Sequence, residues 1–199
     1  MKNFWDERYG KREFAYGTSA NLFFTEQIGK LEPGTILLPC EGEGRNAVYA
    51  AKQGWKVEAF DFSAQGFNKA NALAIENNVF INYMIADTAT AEYPNESFDV
   101  VALIFAHLPP PARKRLHQKC INWLKKGGVL ILEAFNSSQI QNTSGGPKEA
   151  SMLYTEEMVK EDFKDLTAQL LTSVKTTLSE GEFHQGAADV VRFVGTKEK

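Results

Sequence analysis

The stretch ILLPCEGEGRNA, residues 36–47, determines the fold expected for this chain. An apolar run ends there at two glycines, Gly42 and Gly44, and a helical pattern of small apolar residues follows directly. The pattern predicts a strand, a tight turn and a helix over residues 46–53 that stops at Gly54, because glycine commonly follows a helix C-terminus. Since glycine lacks a Cβ atom and tolerates positive φ, such a turn can bring the backbone close to a ligand.

The next apolar segment, residues 55–60, reads as a second strand and ends in Asp61. On a doubly wound sheet, a carboxylate at this strand end can accept hydrogen bonds from both hydroxyls of a ribose. The glycine pattern alone occurs in many nucleotide sites, so charge must distinguish the ligands. A dinucleotide places its pyrophosphate at the helix N-terminus, where Glu41 and Glu43 would repel it. S-adenosylmethionine carries a sulfonium and an ammonium group and no phosphate, so the acidic turn favours it.

Strand and helix patterns alternate along the rest of the chain, as is typical of α/β folds. Residues 98–105 are almost continuously apolar, which is expected of a central parallel strand covered on both faces. Residues 168–178 and 188–195 read as a terminal hairpin. We therefore predict a doubly wound, seven-stranded, mostly parallel sheet with an antiparallel last strand. Further strands are predicted over residues 79–86 and 129–135, and further helices over residues 21–30, 64–77, 112–124 and 154–163.

Composition narrows the functional classes. A chain of 199 residues with 43% hydrophobic content suits one α/β domain, and a formal net charge of -3 without a Lys/Arg stripe disfavours a nucleic-acid partner. No apolar stretch is long enough for a membrane span or a signal core, so we expect a cytoplasmic protein without a membrane partner, either a monomer or a homodimer. Cys40 and Cys120 lack metal-type spacing, so we predict buried thiols and no metal site.

The chain resembles the class I S-adenosylmethionine-dependent methyltransferases, and among them the small bacterial tellurite-resistance and thiopurine-type enzymes. The resemblance runs over nearly the whole chain. The matching segments are WDERY (5–9) with Tyr16-Gly17, EGEGRN (41–46), DFS (61–63), Asp87, FDVV (98–101), and EGEFH (180–184) with VVR (190–192). The first motif departs from the family pattern, because Leu38 and Cys40 stand where an acid and a further glycine are usual, and Glu41 is added.

The resemblance implies binding of S-adenosylmethionine, with S-adenosylhomocysteine as the product, by side chains and glycines from four successive strand ends and the N-terminal segment. The cofactor-binding residues expected from it are Tyr16, Glu41, Gly42, Gly44, Arg45, Asn46, Asp61, Phe62, Ser63, Asp87, Thr88 and Phe105. For Asp87, a cap of the following loop by an Asx-turn is the alternative to a contact with the adenine amine.

Methyl transfer to a small molecule, such as a thiol or another soft nucleophile, is the expected activity. The protein must then mainly align and desolvate the reactants, and a neutral acceptor also needs a proton acceptor. The catalytic candidates are His184, His107 and Arg192, since strand direction places the first two at the ligand edge and the third could hold an anionic acceptor. His117 and the basic residues 113–115 and 119 read as the solvated face of a helix.

Residues 1–199 are expected to form a single domain, in which residues 1–30 provide an aromatic lid and a leading helix and residues 35–199 the cofactor-binding sheet. Two other functions remain open from the sequence. The turn and Asp61 also fit a nicotinamide-dependent oxidoreductase, and the altered first motif fits a cofactor-binding or partner-binding module without turnover.

Overall fold

The computed structural model describes residues 2–198, and its helices and strands follow the predicted alternation. The strands are β1 (Thr35–Pro39), β2 (Lys56–Asp61), β3 (Asn82–Ile85), β4 (Phe98–Ile104), β5 (Leu124–Phe135), β6 (Leu166–Glu180) and β7 (His184–Lys197). The helices are α1 (Lys2–Tyr9), α2 (Leu22–Ile28), α3 (Arg45–Lys52), α4 (Ala64–Glu76), α5 (Pro110–Trp123) and α6 (Glu156–Asp162). Two short 3₁₀ helices, Ser137–Gln141 and Ala150–Met152, lie between β5 and α6.

The seven strands form one sheet in the order β3-β2-β1-β4-β5-β7-β6. The pairs β3–β2, β2–β1, β1–β4 and β4–β5 are parallel, and β7 is antiparallel to both β5 and β6. The predicted doubly wound, mostly parallel sheet is therefore confirmed. Strand order reverses between β1 and β4, and ligands of such sheets bind beyond the carboxyl ends of the strands at this point.

The central strands are buried on both faces, as their continuous apolar sequence predicts. Leu37 and Val101 pack on one face against α5 and α6, whereas Ile36, Leu38 and Val100 pack on the other face against α2, α3 and α4. Leu38, which stands in place of the usual motif acid, is fully buried in this second core. The sheet is therefore held rigidly where β1 delivers the glycine turn.

Helix ends follow the expected capping chemistry. Ser63 caps α4 by accepting a hydrogen bond from the N–H of Gly66, and Thr155 caps α6 through the N–H of Met158. Helix α3 ends at Lys52, and Gly54 follows with a φ of +89°. No helix within residues 2–198 combines the length and apolar character that crossing a membrane would need.

The prediction for α5 was wrong at two positions. Arg113 and His117 are buried rather than solvated, and both contact Asp162 of α6 at 2.9 Å. Burying a charge requires a partner, and α6 supplies it from a distant part of the sequence. Lys114 and Arg115 are exposed as predicted.

Candidate active site

A cavity of about 570 Å³ lies at the carboxyl ends of β1, β2 and β4. Helix α1, the loop residues 146–148 and His184 at the start of β7 form its other walls. Its lining combines two carboxylates, several aromatic rings and two histidines. The polar and aromatic lining residues are Phe4, Trp5, Arg8, Tyr9, Tyr16, Glu41, Arg45, Asn46, Asp61, Phe62, Phe105, His107, Phe135, Lys148 and His184.

The glycine turn after β1 has the left-handed backbone that its sequence predicts. The φ angles of Gly42 and Gly44 are +63° and +84°. A Cβ atom at Gly42 would lie 2.6 Å from Oη of Tyr9, and one at Gly44 would lie 2.5 Å from Cβ of Ala70. These glycines are therefore required by the backbone and by the close packing of α1 and α4, whereas the sequence pointed to the close approach of a ligand.

Glu41 caps the N-terminus of α3. Its Oε1 accepts hydrogen bonds from the backbone N–H groups of Asn46 and Ala47, both at 2.8 Å, and its Oε2 accepts one from Nδ2 of Asn46 at 3.3 Å. Burial raises the pKa of Glu41 to about 7 against these hydrogen bonds. The amide groups that would bind a pyrophosphate at this helix end are therefore already occupied. Glu43 points away from the cavity and pairs with Lys69 at 2.8 Å.

Asp61 closes the same turn from the end of β2. Its Oδ1 accepts from the N–H of Ser63 at 2.9 Å and its Oδ2 from the N–H of Gly42 at 3.3 Å. Burial raises the pKa of Asp61 to about 6 against these hydrogen bonds. Each oxygen retains a further lone pair, so the side chain can still accept from a ribose. Ser63, by contrast, is fully buried and bonds to Asp6 of α1 at 2.5 Å, so its hydroxyl is occupied by the protein.

A second cavity of about 490 Å³ adjoins the first, and Phe62 and Leu108 line both. Asp87 and Thr88 line this second cavity. The Oδ1 of Asp87 accepts from the N–H of Ala89 at 2.8 Å, which is the Asx-turn weighed from the sequence. Within residues 2–198 its Oδ2 has no hydrogen-bond partner, so the turn leaves one oxygen for a ligand.

His107 lines the cavity, but both of its ring nitrogens are engaged. Nδ1 lies 2.8 Å from the carbonyl oxygen of Met152, and Nε2 accepts from the N–H of Phe135 at 3.1 Å. These partners fix the neutral tautomer with the proton on Nδ1. Burial lowers the pKa of His107 to about 4. The structure therefore argues against the catalytic role predicted for His107, because the ring cannot exchange a proton without breaking a structural hydrogen bond.

The hydrogen bonding of His184 differs from that of His107. The side chain is buried, and its Nδ1 lies 3.0 Å from Oε2 of Glu180. Its ring packs on Tyr16 and Phe105, with centroid distances of 4.4 and 4.6 Å. Among residues 2–198 its Nε2 has no hydrogen-bond partner, and the residue lines the cavity. Burial lowers the pKa of His184, so the ring is neutral at ordinary pH and Nε2 can accept a proton.

Arg192 lies outside the cavity, so the structure does not support its predicted contact with an acceptor. Its Nε donates to Oε2 of Glu133 at 2.5 Å, and its guanidinium stacks on Phe23 at 4.9 Å. Only the beginning of β7 reaches the ligand edge, and Arg192 pairs with Glu133 further along the strand. The direction of β7 was predicted correctly, but Arg192 lies too far along the strand to reach the cavity.

Two residues of α3 attach the N-terminal segment to the site. Arg45 donates to the carbonyl oxygen of Tyr16 at 3.2 Å and to Oε2 of Glu180 at 2.8 Å. Asn46 accepts from the N–H of Asn21 at 2.9 Å. Sequence reasoning did not include Glu180 among the site residues, although the segment EGEFH (180–184) that carries part of the resemblance begins with it. Trp5 and Arg8, which form part of the cavity wall, lie in the segment 1–30 for which the sequence predicted an aromatic lid.

The donor set fits a cationic nucleoside. Glu41 and Asp61 supply negative charge, aromatic rings supply apolar faces, and the α3 amide groups that would bind phosphate are capped. Sulfonium and ammonium groups are stabilised by such carboxylates and rings. No group of three His, Cys, Asp or Glu side chains in residues 2–198 is arranged to hold a metal ion.

Comparisons with known proteins agree with this chemistry. A family model described as a methyltransferase domain matches residues 36–128. A phosphoethanolamine N-methyltransferase of Plasmodium falciparum (isolate 3D7) is 30% identical over 129 residues, covering 63% of this chain and 48% of that protein. The chain spans about half the length of the curated relatives it matches.

Solved structures share the fold over almost the whole chain. A structure from work on the conversion of a disulfide bond into a thioacetal group during echinomycin biosynthesis has a TM-score of 0.81 at 13% identity, covering 100% of this chain and 92% of that one. TehB from Haemophilus influenzae has a TM-score of 0.75 at 17% identity, covering 99% of this chain and 67% of that one. These findings show that residues 36–128 resemble a methyltransferase domain, and that the chain has the same fold as these solved structures.

Proposed function

We propose that this protein transfers the methyl group of S-adenosylmethionine to a small-molecule acceptor with an ionisable S–H, O–H or N–H group, in the first place a thiol or another soft nucleophile. When bound, the cofactor supplies a methyl group activated by a sulfonium leaving group. One observation carries the proposal. The cavity at the strand-order reversal is lined by the carboxylates of Glu41 and Asp61 and by His184, whose Nε2 has no hydrogen-bond partner among residues 2–198.

On the cofactor side, different residues bind the ribose, the methionine end and the adenine. Asp61 accepts hydrogen bonds from the ribose hydroxyls, and Glu41 offsets the positive charge of the methionine end. Phe62 and Leu108, which border both cavities, provide an apolar slot for adenine. The unpartnered oxygen of Asp87 accepts from the adenine amine.

On the acceptor side, the protein aligns the nucleophile, excludes water and removes a proton. The rings of Tyr16, Phe105 and Phe135 surround His184 and keep water from the reacting groups. Nε2 of His184 takes the proton that a thiol or hydroxyl group loses as it attacks, or the proton that an amine nitrogen loses once it carries the methyl group. The N-methyltransferase activity in the name of the Plasmodium relative supports a small acceptor of this protic kind.

The alternative of a nicotinamide-dependent oxidoreductase is disfavoured by the same geometry. Glu41 occupies the N–H groups of Asn46 and Ala47, so a pyrophosphate would meet a carboxylate in place of hydrogen-bond donors. A binding module without turnover would share the cofactor side with an enzyme. The acceptor screen described below separates these two.

We also propose that residues 1–199 act as one domain, with residues 1–30 as the lid and leading helix and residues 35–199 as the cofactor-binding sheet. Contacts between α1 and the sheet support a single domain, because Asp6 forms a hydrogen bond with Ser63 and Tyr9 packs on the glycine turn. The free thiols of Cys40 and Cys120 are compatible with a reducing compartment, and we propose the cytoplasm.

Calorimetry with S-adenosylhomocysteine tests the cofactor site. We expect Asp61→Asn to weaken binding about tenfold or more, which corresponds to about 1.4 kcal/mol. The matched control is Asp99→Asn, because Asp99 also accepts from a backbone N–H, that of Thr35, but at the opposite edge of the sheet. Equal affinities of the Asp61 variant and the wild type, or preferential binding of a nicotinamide dinucleotide, would refute the assignment.

A screen with labelled methyl donor tests turnover. Thiols, amines, phenols, halides and metalloid oxyanions should be offered to the wild-type protein and to His184→Gln. We expect product with at least one protic acceptor and a loss of product in the variant. Tight cofactor binding without product from any acceptor would favour the binding module.

A further inference from the structure

Glu180 and His184 face each other across the tip of the last hairpin. Glu180 ends β6, His184 begins β7, and the two are paired in the antiparallel register. The tip is fixed from outside, because the N–H of Phe183 donates to the carbonyl oxygen of Ala15 at 3.2 Å. Gly181 has a φ of +65°, and a Cβ atom there would collide with the backbone of Gly17. The hairpin therefore holds the carboxylate and the imidazole in one arrangement.

The contacts of Glu180 determine which nitrogen of His184 carries the proton. Its Oε2 accepts from Arg45 at 2.8 Å and lies 3.0 Å from Nδ1 of His184, and its Oε1 accepts from Nδ2 of Asn21 at 3.1 Å. An ionised carboxylate only accepts hydrogen bonds. Nδ1 must therefore carry a proton, which leaves the lone pair of the neutral ring on Nε2, the nitrogen without a hydrogen-bond partner among residues 2–198.

The surrounding charges are balanced before His184 takes up a proton. Glu180 pairs with Arg45, and Glu133 pairs with Arg192. The side-chain amide of Asn21 donates to both carboxylates and joins the two pairs. Burial alone would raise the pKa of Glu180, but hydrogen bonds from His184 and Arg45 outweigh it and hold the pKa at about 2. Glu180 is therefore ionised and can stabilise an imidazolium when one forms.

Among the described residues, the other groups around His184 do not stabilise its protonated form. Arg45 from α3 and Arg8 from α1 both disfavour a positive charge on the ring. Tyr16 contributes its ring face, and its hydroxyl is bonded to Arg8 at 2.8 Å. Glu180 is the group among the described residues that both contacts the ring and favours its protonated form.

We infer that Glu180 is a positioning residue, which presents the basic Nε2 of His184 to the acceptor by holding the proton on Nδ1. The inference rests on the proposed methyl transfer. It assigns to Arg45, Asn21, Glu133 and Arg192 the supporting role of keeping Glu180 ionised and in place. No proton leaves the imidazole toward Glu180 in this arrangement, and only Nε2 changes its protonation.

Nuclear magnetic resonance of the imidazole nitrogens tests the inference without cofactor or acceptor. In the wild type we expect the neutral ring of His184 to carry its proton on Nδ1. In Glu180→Gln we expect a mixture of tautomers and a lower pKa of His184, because the negative charge is lost. The matched control is Glu182→Gln, the same chemical change at an exposed position on the same turn, which should leave His184 unchanged. Glu180→Asp should retain the wild-type tautomer if the glutamine variant fails to fold.

Kinetics on an acceptor found by the screen provide the second readout. We expect kcat of Glu180→Gln to fall about tenfold to a hundredfold, with its acidic limb shifted to lower pH and the affinity for S-adenosylhomocysteine changed less than twofold. An unchanged tautomer and pKa in Glu180→Gln, or an equal change in Glu182→Gln, would overturn the inference even if methyl transfer is observed. Absence of methyl transfer with the expected tautomer change would count against the proposed function alone.

Discussion

The ring of Tyr16 lies on the ring of His184, with their centroids 4.4 Å apart. The N-terminal segment thereby covers the residue that we propose to act on the acceptor. Tyr16→Phe keeps this ring contact and loses only the hydrogen bond from Arg8, whereas Tyr16→Ala opens the acceptor side to water. We expect kcat/KM to change less than threefold in the first variant and to fall about tenfold or more in the second. Equal losses in steady-state assays of both variants would show that the hydroxyl, and not the ring, is what matters.

Binding of S-adenosylmethionine should strengthen as the pH rises from 5 to 8. Burial raises the pKa of Asp61 to about 6 and of Glu41 to about 7, so both are partly protonated in the free protein below these values. A cationic ligand favours the ionised forms and should release protons on binding. Calorimetry in two buffers of different ionisation enthalpy measures this release. Affinity that does not vary with pH would contradict the assignment of both carboxylates.

The same pKa shifts have the opposite effect on the stability of the free protein. The folded-state pKa values of these two acids lie above their unfolded values, so the folded state binds more protons between about pH 4 and 7. Their contribution is therefore complete at low pH and is lost as the pH rises through 6 and 7. Urea unfolding of Asp61→Asn should show a smaller loss over this range than that of the wild type.

Substitutions at Gly44 and Gly54 distinguish the cost of backbone strain from the cost of overpacking. Both have left-handed backbone, with φ of +84° and +89°, but a Cβ atom at Gly44 would lie 2.5 Å from Ala70, whereas one at Gly54 would find its nearest neighbour, Pro33, at 3.8 Å. We expect Gly54→Ala to lower the free energy of unfolding by about 1 to 2 kcal/mol through strain alone, and Gly44→Ala by about 2 to 5 kcal/mol because overpacking is added. Equal losses measured by urea unfolding would show that the α4 contact adjusts without cost.

His107→Asn should affect stability more than catalysis. The substitution removes the acceptor for the N–H of Phe135 and the donor to the carbonyl oxygen of Met152. Leaving such buried groups unpaired costs about 1 to 3 kcal/mol of unfolding free energy. The pH profile of methyl transfer should keep its wild-type shape, since His107 exchanges no proton. A shifted acidic limb in His107→Asn would restore it as a catalytic candidate.

Local sequence patterns predicted the parts of the molecule whose causes are local. The strand, the glycine turn and α3 follow from an apolar run, two glycines and a row of small residues, and the position of Asp61 follows from the direction of β2. The cap formed by Glu41 is also local, yet it was not predicted, because an acid near a turn can face either a ligand or the helix. The sequence thus located the proposed cofactor side of the site, but it did not predict which role each acidic residue has there.

The parts that sequence reasoning missed depend on partners from distant segments. Arg113 and His117 read as solvated because helical periodicity does not reveal Asp162, which lies 49 and 45 residues further along the chain. Met152, in a long loop, likewise forms a hydrogen bond with His107, and Glu133, on the neighbouring strand, forms one with Arg192. In each case tertiary contacts convert a chemically suitable residue into a structural one.

The contact between the turn at Gly17 and the hairpin tip at Gly181 brings together residues from opposite ends of the chain. During translation the residues of β1, β2 and α3 are made before those of β6 and β7, so His184 is among the last residues of the proposed site to be synthesised. The proposed site is therefore complete only when the terminal hairpin has been made and has paired into the sheet.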